Sequence, residues 1–321
     1  MSFKKVTLAG GGVLGSQIAY QTAYKGFDVT IWLRSEESVA RAKEKIERLH
    51  GIYLKSIDAM AASEGIDPRT YCRGLVPDYD SFTGMDAKMA EELKAKADAA
   101  FANMKYVVDM DEAFGDADLV IEAMAENPQA KIEFYTGLAK HLPDKCVLAT
   151  NSSTMLPSTF AEYTGRPDKY LALHFANEIW RMNTAEVMGH AGTDPESYKA
   201  VSEFARQIGM VPLELKKEQP GYILNSMLVP FLNAAQALYA NDVADPETID
   251  KTWMLATGAP NGPFRILDVV GLTTAYNIVM NNPEATSNPE STAAKIAAKL
   301  KEKIDEGKTG INAGEGFYKY K

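Results

Sequence analysis

His174 and Glu186 are the side chains best suited to proton transfer in this sequence. His174 ends a predicted strand in LALHFANEIWRMNTAEVM, and Glu186 follows on what reads as the next strand. An imidazole accepts a hydroxyl proton near neutral pH, and a buried carboxylate fixes its tautomer and stabilises the imidazolium. The chain has four histidines, and the other three fall in a predicted surface helix, a helix end and a loop. His174 is therefore the best-placed general base, although a histidine at a strand end also occurs for structural reasons.

A second polar cluster, ATNSST at residues 149–154, ends an earlier predicted strand. It offers several hydroxyls and the amide of Asn151. Ligands bind at the carboxyl ends of the strands in parallel α/β sheets, so these groups are expected to face a ligand. The alternative is that they only cap the segment that follows, which is a common use of serine and threonine.

The glycine-rich turn GGGVLG predicts a dinucleotide site. Gly10, Gly12 and Gly15 fit the pattern G-x-G-x-x-G, with Val13 and Leu14 between the last two glycines. An apolar strand precedes the turn and a helix follows it, which is the context that this motif requires. Such a turn lets the backbone approach a pyrophosphate and presents helix N–H groups to it. We therefore expect NAD or NADP as cofactor.

The end of the next strand departs from the usual ribose-binding pattern. An Asp or Glu about 20 residues after the turn normally accepts hydrogen bonds from the ribose hydroxyls of NAD. Leu33, Arg34 and Ser35 stand there instead. An arginine pairs with the 2′-phosphate of NADP, which a carboxylate would repel, so this segment favours NADP. The alternative is a solvated Arg34 that stacks on adenine.

Alternating strand and helical patterns in the first two thirds of the chain predict a doubly wound parallel sheet. A helical insertion at about residues 36–104 interrupts it, and residues 64–86 of that insertion read as a loop. One face of its long helix is predicted to carry Ile46, Leu49, Tyr53, Ile57 and Met60. The strand signal stops after about residue 216. The prediction is an α/β fold: a Rossmann domain over residues 1–216 and an all-helical C-terminal domain over 217–321.

Composition excludes several classes of function. The net charge of −9 argues against nucleic-acid or anionic-membrane partners, which would repel the chain overall. Two cysteines supply neither a disulfide framework nor metal-ligand spacing, so we expect no metal and a reducing compartment. Three consecutive glycines would interrupt an N-terminal targeting helix, and no apolar stretch of about 18 residues occurs. A cytoplasmic protein is expected.

Over nearly its whole length the sequence resembles the 3-hydroxyacyl-CoA dehydrogenase family. The segments that carry the resemblance are GGGVLGSQIA, ADLVIEAMAENPQAK, LATNSST, LHFAN with the later AEV, QPGYILNSMLVPFLNAA, IDKTWMLATGAPNGPFRILDVVGL and GEGFYKYK. The resemblance implies hydride transfer between a nicotinamide cofactor and C3 of a short-chain 3-hydroxyacyl-CoA. It also implies a helical domain that dimerises and closes the substrate cleft.

The resemblance assigns roles to individual residues. His174 is the implied general base, with Glu186 as its partner. Ser153 and Asn225 should lie near the reacting oxygen. Glu126 and Lys131 match positions that contact the nicotinamide half of the cofactor.

The segment after His174 departs from the family pattern, in which Asn, Pro and small apolar residues lead to a lysine. Here it contains Asn177, Glu178, Trp180 and Arg181. This places an indole and a guanidinium beside the expected substrate position, where Asn177 and Arg181 would contact substrate. A guanidinium clamps a free carboxylate at two points, whereas the alternative for Arg181 is a surface ion pair with Glu178 or another acid.

Two alternative functions remain possible besides that of a 3-hydroxyacyl-CoA dehydrogenase. One is a dehydrogenase of a free 3-hydroxy acid, like the gulonate and carnitine dehydrogenases of this superfamily. The other is a non-catalytic dinucleotide-binding protein like the lens λ-crystallins. Retention of Ser153, His174, Glu186 and Asn225 argues against the second.

Overall fold

The computed structural model describes residues 2–62, 72–77, 82 and 84–320. The chain divides into two compact units, Met1–Ile223 and Leu224–Lys321. Segment 217–223, which the sequence pattern groups with the helical domain, belongs to the first unit. Much of the loop predicted at residues 64–86 lies outside the described residues.

The first unit contains a sheet of eight strands among the described residues. Its strands are β1 Lys5–Ala9, β2 Asp28–Trp32, β3 Lys105–Val107, β4 Leu119–Glu122, β5 Val147–Thr150, β6 Tyr170–Phe175, β7 Thr184–Met188 and β8 Val211–Glu214. Their order across the sheet is β3-β2-β1-β4-β5-β6-β7-β8. The order reverses at β1, which pairs in parallel with both β2 and β4. A crevice for a dinucleotide opens at the carboxyl ends of the strands at such a reversal. The predicted Rossmann fold is confirmed.

One strand departs from the predicted parallel arrangement. β7 runs antiparallel to β6, and residues 176–183 connect the two strands. A parallel partner would require a crossover connection of a dozen or more residues, so this short connection forces a hairpin. β8 then pairs in parallel with β7.

Helices cover the sheet and form the insertion. They are α1 Val13–Tyr24, α2 Glu36–Ala61, α3 Ala87–Ala102, α4 Met110–Phe114, α5 Pro128–Leu138 and α6 Pro195–Gln207. The predicted apolar face of α2 is confirmed, because its members Ile46, Leu49, Tyr53, Ile57 and Met60 are all buried. They pack in one core with the apolar residues of α1 and α3.

The second unit is built mainly of helices, with isolated β-bridges between Gly310 and Glu315 and between Glu315 and Lys319. Its helices are α7 Leu224–Ala240, α8 Pro246–Thr257, α9 Pro263–Val270, α10 Leu272–Met280, α11 Glu284–Ser287 and α12 Thr292–Asp305. Asp245 caps α8 by accepting a hydrogen bond from the Thr248 N–H, and Gly258 ends that helix in the left-handed conformation. Leu232, Phe264, Leu267, Leu272 and Leu300 are among the residues of its core.

Candidate active site

The turn between β1 and α1 has the geometry of a pyrophosphate site. Gly10 has φ +116°, and a Cβ there would lie 2.8 Å from the carbonyl oxygen of Ala123. A Cβ on Gly15 would lie 2.3 Å from the carbonyl oxygen of Gly10, so both positions require glycine. A Cβ on Gly12 would meet nothing within 4 Å, and no side chain among the described residues caps α1 there. The helix N–H groups at Val13 and Leu14 are thus open to an anion, and the turn fits a dinucleotide.

Leu33 lies beneath this turn. Its side chain is buried, and its Cδ2 would be 2.9 Å from a Cβ on Gly11. The side chain thus packs under the glycines and presents no polar group to a nucleotide. The predicted contact of Leu33 with the cofactor stays a prediction.

Arg34 and Ser35 are the residues predicted to bind a phosphate of the cofactor. Arg34 is exposed, but the Ser35 hydroxyl caps α2 by accepting a hydrogen bond from the Ser38 N–H. The Ser35 side chain also hydrogen-bonds to Glu37, which lowers the pKa of that carboxyl. Ser35 is therefore engaged in capping, and two acidic residues, Glu36 and Glu37, follow it in the first turn of α2.

His174 and Glu186 lie directly opposite each other across the β6–β7 hairpin. Nδ1 of His174 is 2.9 Å from Oε2 of Glu186, and both side chains are buried. The second carboxylate oxygen, Oε1, accepts a hydrogen bond of 2.8 Å from the Ile223 N–H. A carboxylate at Nδ1 favours the tautomer that carries its proton there, which leaves Nε2 able to accept a proton. The pair therefore has the arrangement of a general base and its orienting acid.

The polar cluster after β5 contacts β6 and the segment after β4. Oδ1 of Asn151 accepts a hydrogen bond from the Phe175 N–H at 3.0 Å, next to His174. The Ser152 hydroxyl donates to Oε2 of Glu126 at 2.7 Å, and the Ser153 N–H donates to Oε1 at 3.1 Å. Glu126 is thus held by two neighbouring serines, of which Ser152 was not singled out in the sequence. The half-buried Ser153 keeps its hydroxyl at the carboxyl edge of the sheet.

Lys131 has a structural partner that the sequence motif did not reveal. Its Nζ lies 2.6 Å from Oε1 of Glu122, and its side chain is only 1% exposed. Tyr135 and Thr150 donate hydroxyl hydrogen bonds to the other oxygen of Glu122, at 2.6 and 2.7 Å. The ammonium is thus committed to a buried ion pair at the end of β4. Its implied contact with the nicotinamide half stays a prediction.

The loop between β6 and β7 places its side chains differently from expectation. Trp180 is 5% exposed and packs in the core against Tyr53, with ring centroids 5.7 Å apart, so the indole does not stand beside a substrate. Arg181 is 38% exposed, and its guanidinium lies 3.7 Å from the Glu178 carboxylate. Asn177 is exposed. Of this segment, Asn177 and Arg181 are the predicted substrate contacts that reach the surface.

Asn225 belongs to the second unit, where it is half-buried in the first turn of α7. Its implied place near the reacting oxygen stays a prediction. Among the described residues, no group of three or more His, Cys, Asp or Glu side chains is placed to hold a metal ion. In the same residues, no helix combines the length and hydropathy needed to span a bilayer.

Two family models match the chain. The 3-hydroxyacyl-CoA dehydrogenase NAD binding domain matches residues 5–64 and 83–219, and the C-terminal domain of the same family matches residues 221–320. The intervening residues 65–82 are outside both matches.

Similar proteins cover the chain from end to end. The human mitochondrial hydroxyacyl-coenzyme A dehydrogenase is 31% identical over 99% of this chain and 91% of its own length. A probable 3-hydroxybutyryl-CoA dehydrogenase of Deinococcus radiodurans is 28% identical over 98% of this chain and all of its own. Among solved structures, a diketoreductase with dual catalysis of dicarbonyl compounds is 47% identical over all of both chains, with a TM-score of 0.81. An (S)-3-hydroxybutyryl-CoA dehydrogenase from Ralstonia eutropha, 24% identical over all of both chains with a TM-score of 0.74, shares the fold.

These matches establish an oxidoreductase family with a nicotinamide-binding Rossmann domain and a helical C-terminal domain. The chain belongs to the 3-hydroxyacyl-CoA dehydrogenase family.

Proposed function

We propose that this protein interconverts a 3-hydroxy and a 3-oxo group, with His174 as the acid–base residue. The observation that carries the proposal is the buried contact of 2.9 Å between His174 Nδ1 and Glu186 Oε2. In oxidation, Nε2 of His174 accepts the proton of the C3 hydroxyl, and Glu186 stabilises the resulting imidazolium. In reduction, the same nitrogen returns the proton. When bound, the nicotinamide supplies or accepts the hydride.

The other polar groups are proposed to orient the reacting carbon. The Ser153 hydroxyl and the Asn225 amide would donate to the carbonyl oxygen. Glu126, held by Ser152 and Ser153, would contact the nicotinamide half of the cofactor, and the turn from Gly10 to Gly15 would hold the pyrophosphate. Each group acts by fixing geometry, which accounts for much of the rate enhancement in bimolecular hydride transfer.

Two classes of substrate are candidates for the compound that contains the 3-oxo group. Family membership favours a short-chain acyl-CoA of the 3-hydroxybutyryl type. The 47% identity with a diketoreductase over the whole chain favours a smaller dicarbonyl compound without CoA, such as a free 3-oxo acid or a diketone. The loop after His174 supports the second candidate, because it departs from the acyl-CoA family pattern where substrate is expected. We favour the smaller dicarbonyl compound.

A substrate panel tests this choice. Acetoacetyl-CoA, acetoacetate and 2,4-pentanedione are each assayed with NADH and with NADPH, and kcat/KM is compared. We expect the enzyme to reduce all three compounds with His174 as the acid–base residue. The highest kcat/KM is expected for a compound without CoA. A preference for acetoacetyl-CoA would assign the enzyme to fatty-acid chemistry. Nucleotide binding without any turnover would support the crystallin-like alternative instead.

The proposed assembly is a homodimer formed through the second unit. In that unit, Met227, Val243, Leu255 and Val269 are large apolar residues that the isolated chain exposes. Exposed apolar surface of this kind is typical of protein–protein contacts. The cytoplasm is the proposed location, because the thiols of Cys72 and Cys146 are buried and not joined in a disulfide, as is usual in a reducing compartment.

A further inference from the structure

The face of the β6–β7 hairpin that carries the acid–base pair is covered by one aromatic side chain. On this face Ala172 lies opposite Met188, and His174 lies opposite Glu186. Tyr222 packs against Ala172 and Met188, and it is 0% exposed. The residue thus lies over the hairpin at the level of the reacting imidazole.

Tyr222 stacks directly on His174. The two ring centroids are 4.6 Å apart, and the ring planes differ by 25°. Stacking at this distance restricts rotation of the imidazole about its last side-chain bond. An aromatic face also attracts a cation, and this attraction is strongest where water is excluded. The ring therefore favours the imidazolium form that His174 takes after it accepts a proton.

The backbone that delivers this ring is in an unusual conformation. Gly221 has φ +78° and Tyr222 has φ +55°, and a bulky residue seldom adopts the left-handed region. The Tyr222 N–H donates to the carbonyl oxygen of Gln219 and closes the turn. The next amide, the Ile223 N–H, donates to Oε1 of Glu186. One strained turn thus supplies both the ring on His174 and a hydrogen bond to its carboxylate partner, and such strain is common at functional sites.

We infer that Tyr222 is a positioning residue for the acid–base reaction, and that its ring, rather than its hydroxyl, performs this role. The inference rests on the proposed function of His174. Burial raises the pKa of the Tyr222 phenol, and the carboxylates of Glu126, Glu186, Glu122 and Glu218 raise it further, in that order. The phenol therefore stays neutral and does not serve as the base that accepts the proton of the C3 hydroxyl.

The test compares two substitutions that differ in the ring alone. Tyr222→Phe keeps the aromatic face and removes the hydroxyl, whereas Tyr222→Leu keeps an apolar side chain and removes the face. Nucleotide binding and thermal unfolding of both variants establish that they are folded. The readouts are kcat and KM for oxidation of the best 3-hydroxy substrate, and the pH profile of kcat/KM.

The Leu variant is expected to lose about tenfold in kcat with little change in KM. The acid limb of its kcat/KM profile should move down by about one pH unit, because its imidazolium is less stabilised. The Phe variant should retain the kcat and the profile of the unmodified enzyme. An unshifted profile in the Leu variant, or an equal defect in the Phe variant, would overturn the inference.

His174→Gln, assayed in parallel, separates this inference from the function on which it rests. If that variant turns over normally, His174 is not the base and the proposed function fails. If it is inactive while Tyr222→Leu behaves like the unmodified enzyme, the inference alone fails.

Discussion

The backbone N–H of Glu178 donates a hydrogen bond of 2.8 Å to the side-chain Oε1 of Gln17. Gln17 is a buried residue of α1, the helix that follows the nucleotide turn. Glu178 has φ +57°, and its carbonyl oxygen accepts hydrogen bonds from the Arg181 and Met182 N–H groups. The loop after His174 is thus hydrogen-bonded to α1 in a conformation that a proline at position 178 cannot adopt.

We therefore expect Glu178→Pro to destabilise the first unit by about 2–4 kcal/mol. Proline fixes φ near −65° and has no N–H, so Gln17 would lose its donor as well. Glu178→Gly is the matched control, because glycine accepts positive φ and keeps the N–H. Urea unfolding is followed by tryptophan fluorescence in a Trp253→Phe background, which leaves Trp32 and Trp180 as reporters of the first unit. Equal stability of the Pro and Gly variants would contradict this account of the loop.

His174→Gln should lower turnover by about 10²–10⁴-fold while cofactor binding persists. Glutamine can still hydrogen-bond to Glu186, but it cannot accept the proton. Turnover is measured in both directions, and cofactor affinity is measured by nucleotide fluorescence. Turnover near that of the unmodified enzyme would remove His174 from the mechanism.

Arg181→Ala should raise the KM for substrate by an amount worth about 1.5–3 kcal/mol, which is typical of a hydrogen bond to a charged group. Glu178→Gln is the control, because it removes the ion-pair partner of Arg181 and leaves the guanidinium in place. If KM rises in Arg181→Ala but not in Glu178→Gln, the Arg181 guanidinium contacts the substrate. If no accepted substrate shows a changed KM, Arg181 is a surface arginine.

The cofactor prediction is that the enzyme accepts NADP(H) and prefers it to NAD(H). Arg34→Ala should then lower kcat/KM for NADPH about tenfold and leave the value for NADH unchanged. Arg41→Ala, at an exposed position of α2, is the control. The preference should weaken with salt, since exposed charges are screened within about 8 Å at physiological ionic strength. Leu33 is left unchanged, because an aspartate there would bury a carboxylate under the glycine turn.

A clear NADH preference in the unmodified enzyme would refute this prediction. The neighbours of Arg34 would then explain the result. Glu36 and Glu37 would disfavour a 2′-phosphate, and the Ser35 hydroxyl would be spent on the helix cap.

We expect light scattering to give twice the mass of one chain at micromolar concentration. The interface should be apolar, as the exposed residues of the second unit indicate, so the dimer should persist in 1 M salt, where ionic contacts are screened. A monomeric mass at low salt would count decisively against the dimer.

The parts of the fold that sequence predicts are those governed by repeating patterns. The buried face of α2 follows from apolar residues at three- and four-residue steps, and the tight turn between β1 and α1 follows from Gly10 and Gly15, where a Cβ would clash with the backbone. The reversed direction of β7 was missed, because a strand pattern is the same in both directions. The sequence pattern places Trp180 beside the substrate position, whereas the side chain packs in the core. A loop that faces solvent and a loop that faces the core can carry the same residue types, so the sequence does not distinguish them.

Contacts made by single residues were harder to predict. Glu178 and Tyr222 adopt left-handed conformations without being glycine, so their identities gave no warning. Lys131 lies in a motif that suggests a cofactor contact, and its burial against Glu122 depends on packing between β4 and α5 that no periodicity encodes. The contacts and backbone conformations of such residues depend on the tertiary structure around them.

The β6–β7 hairpin also affects the order in which the strands of the sheet pair during folding. His174 and Glu186 come together through a short connection, whereas the crevice for the dinucleotide requires β1 to pair with β4, which brings Val6 to Leu119. Contacts between residues close in sequence cost less chain entropy and form faster than distant ones. We therefore expect β6 and β7 to pair before β1 and β4. His174 and Glu186 would then be in contact before the crevice for the dinucleotide has formed.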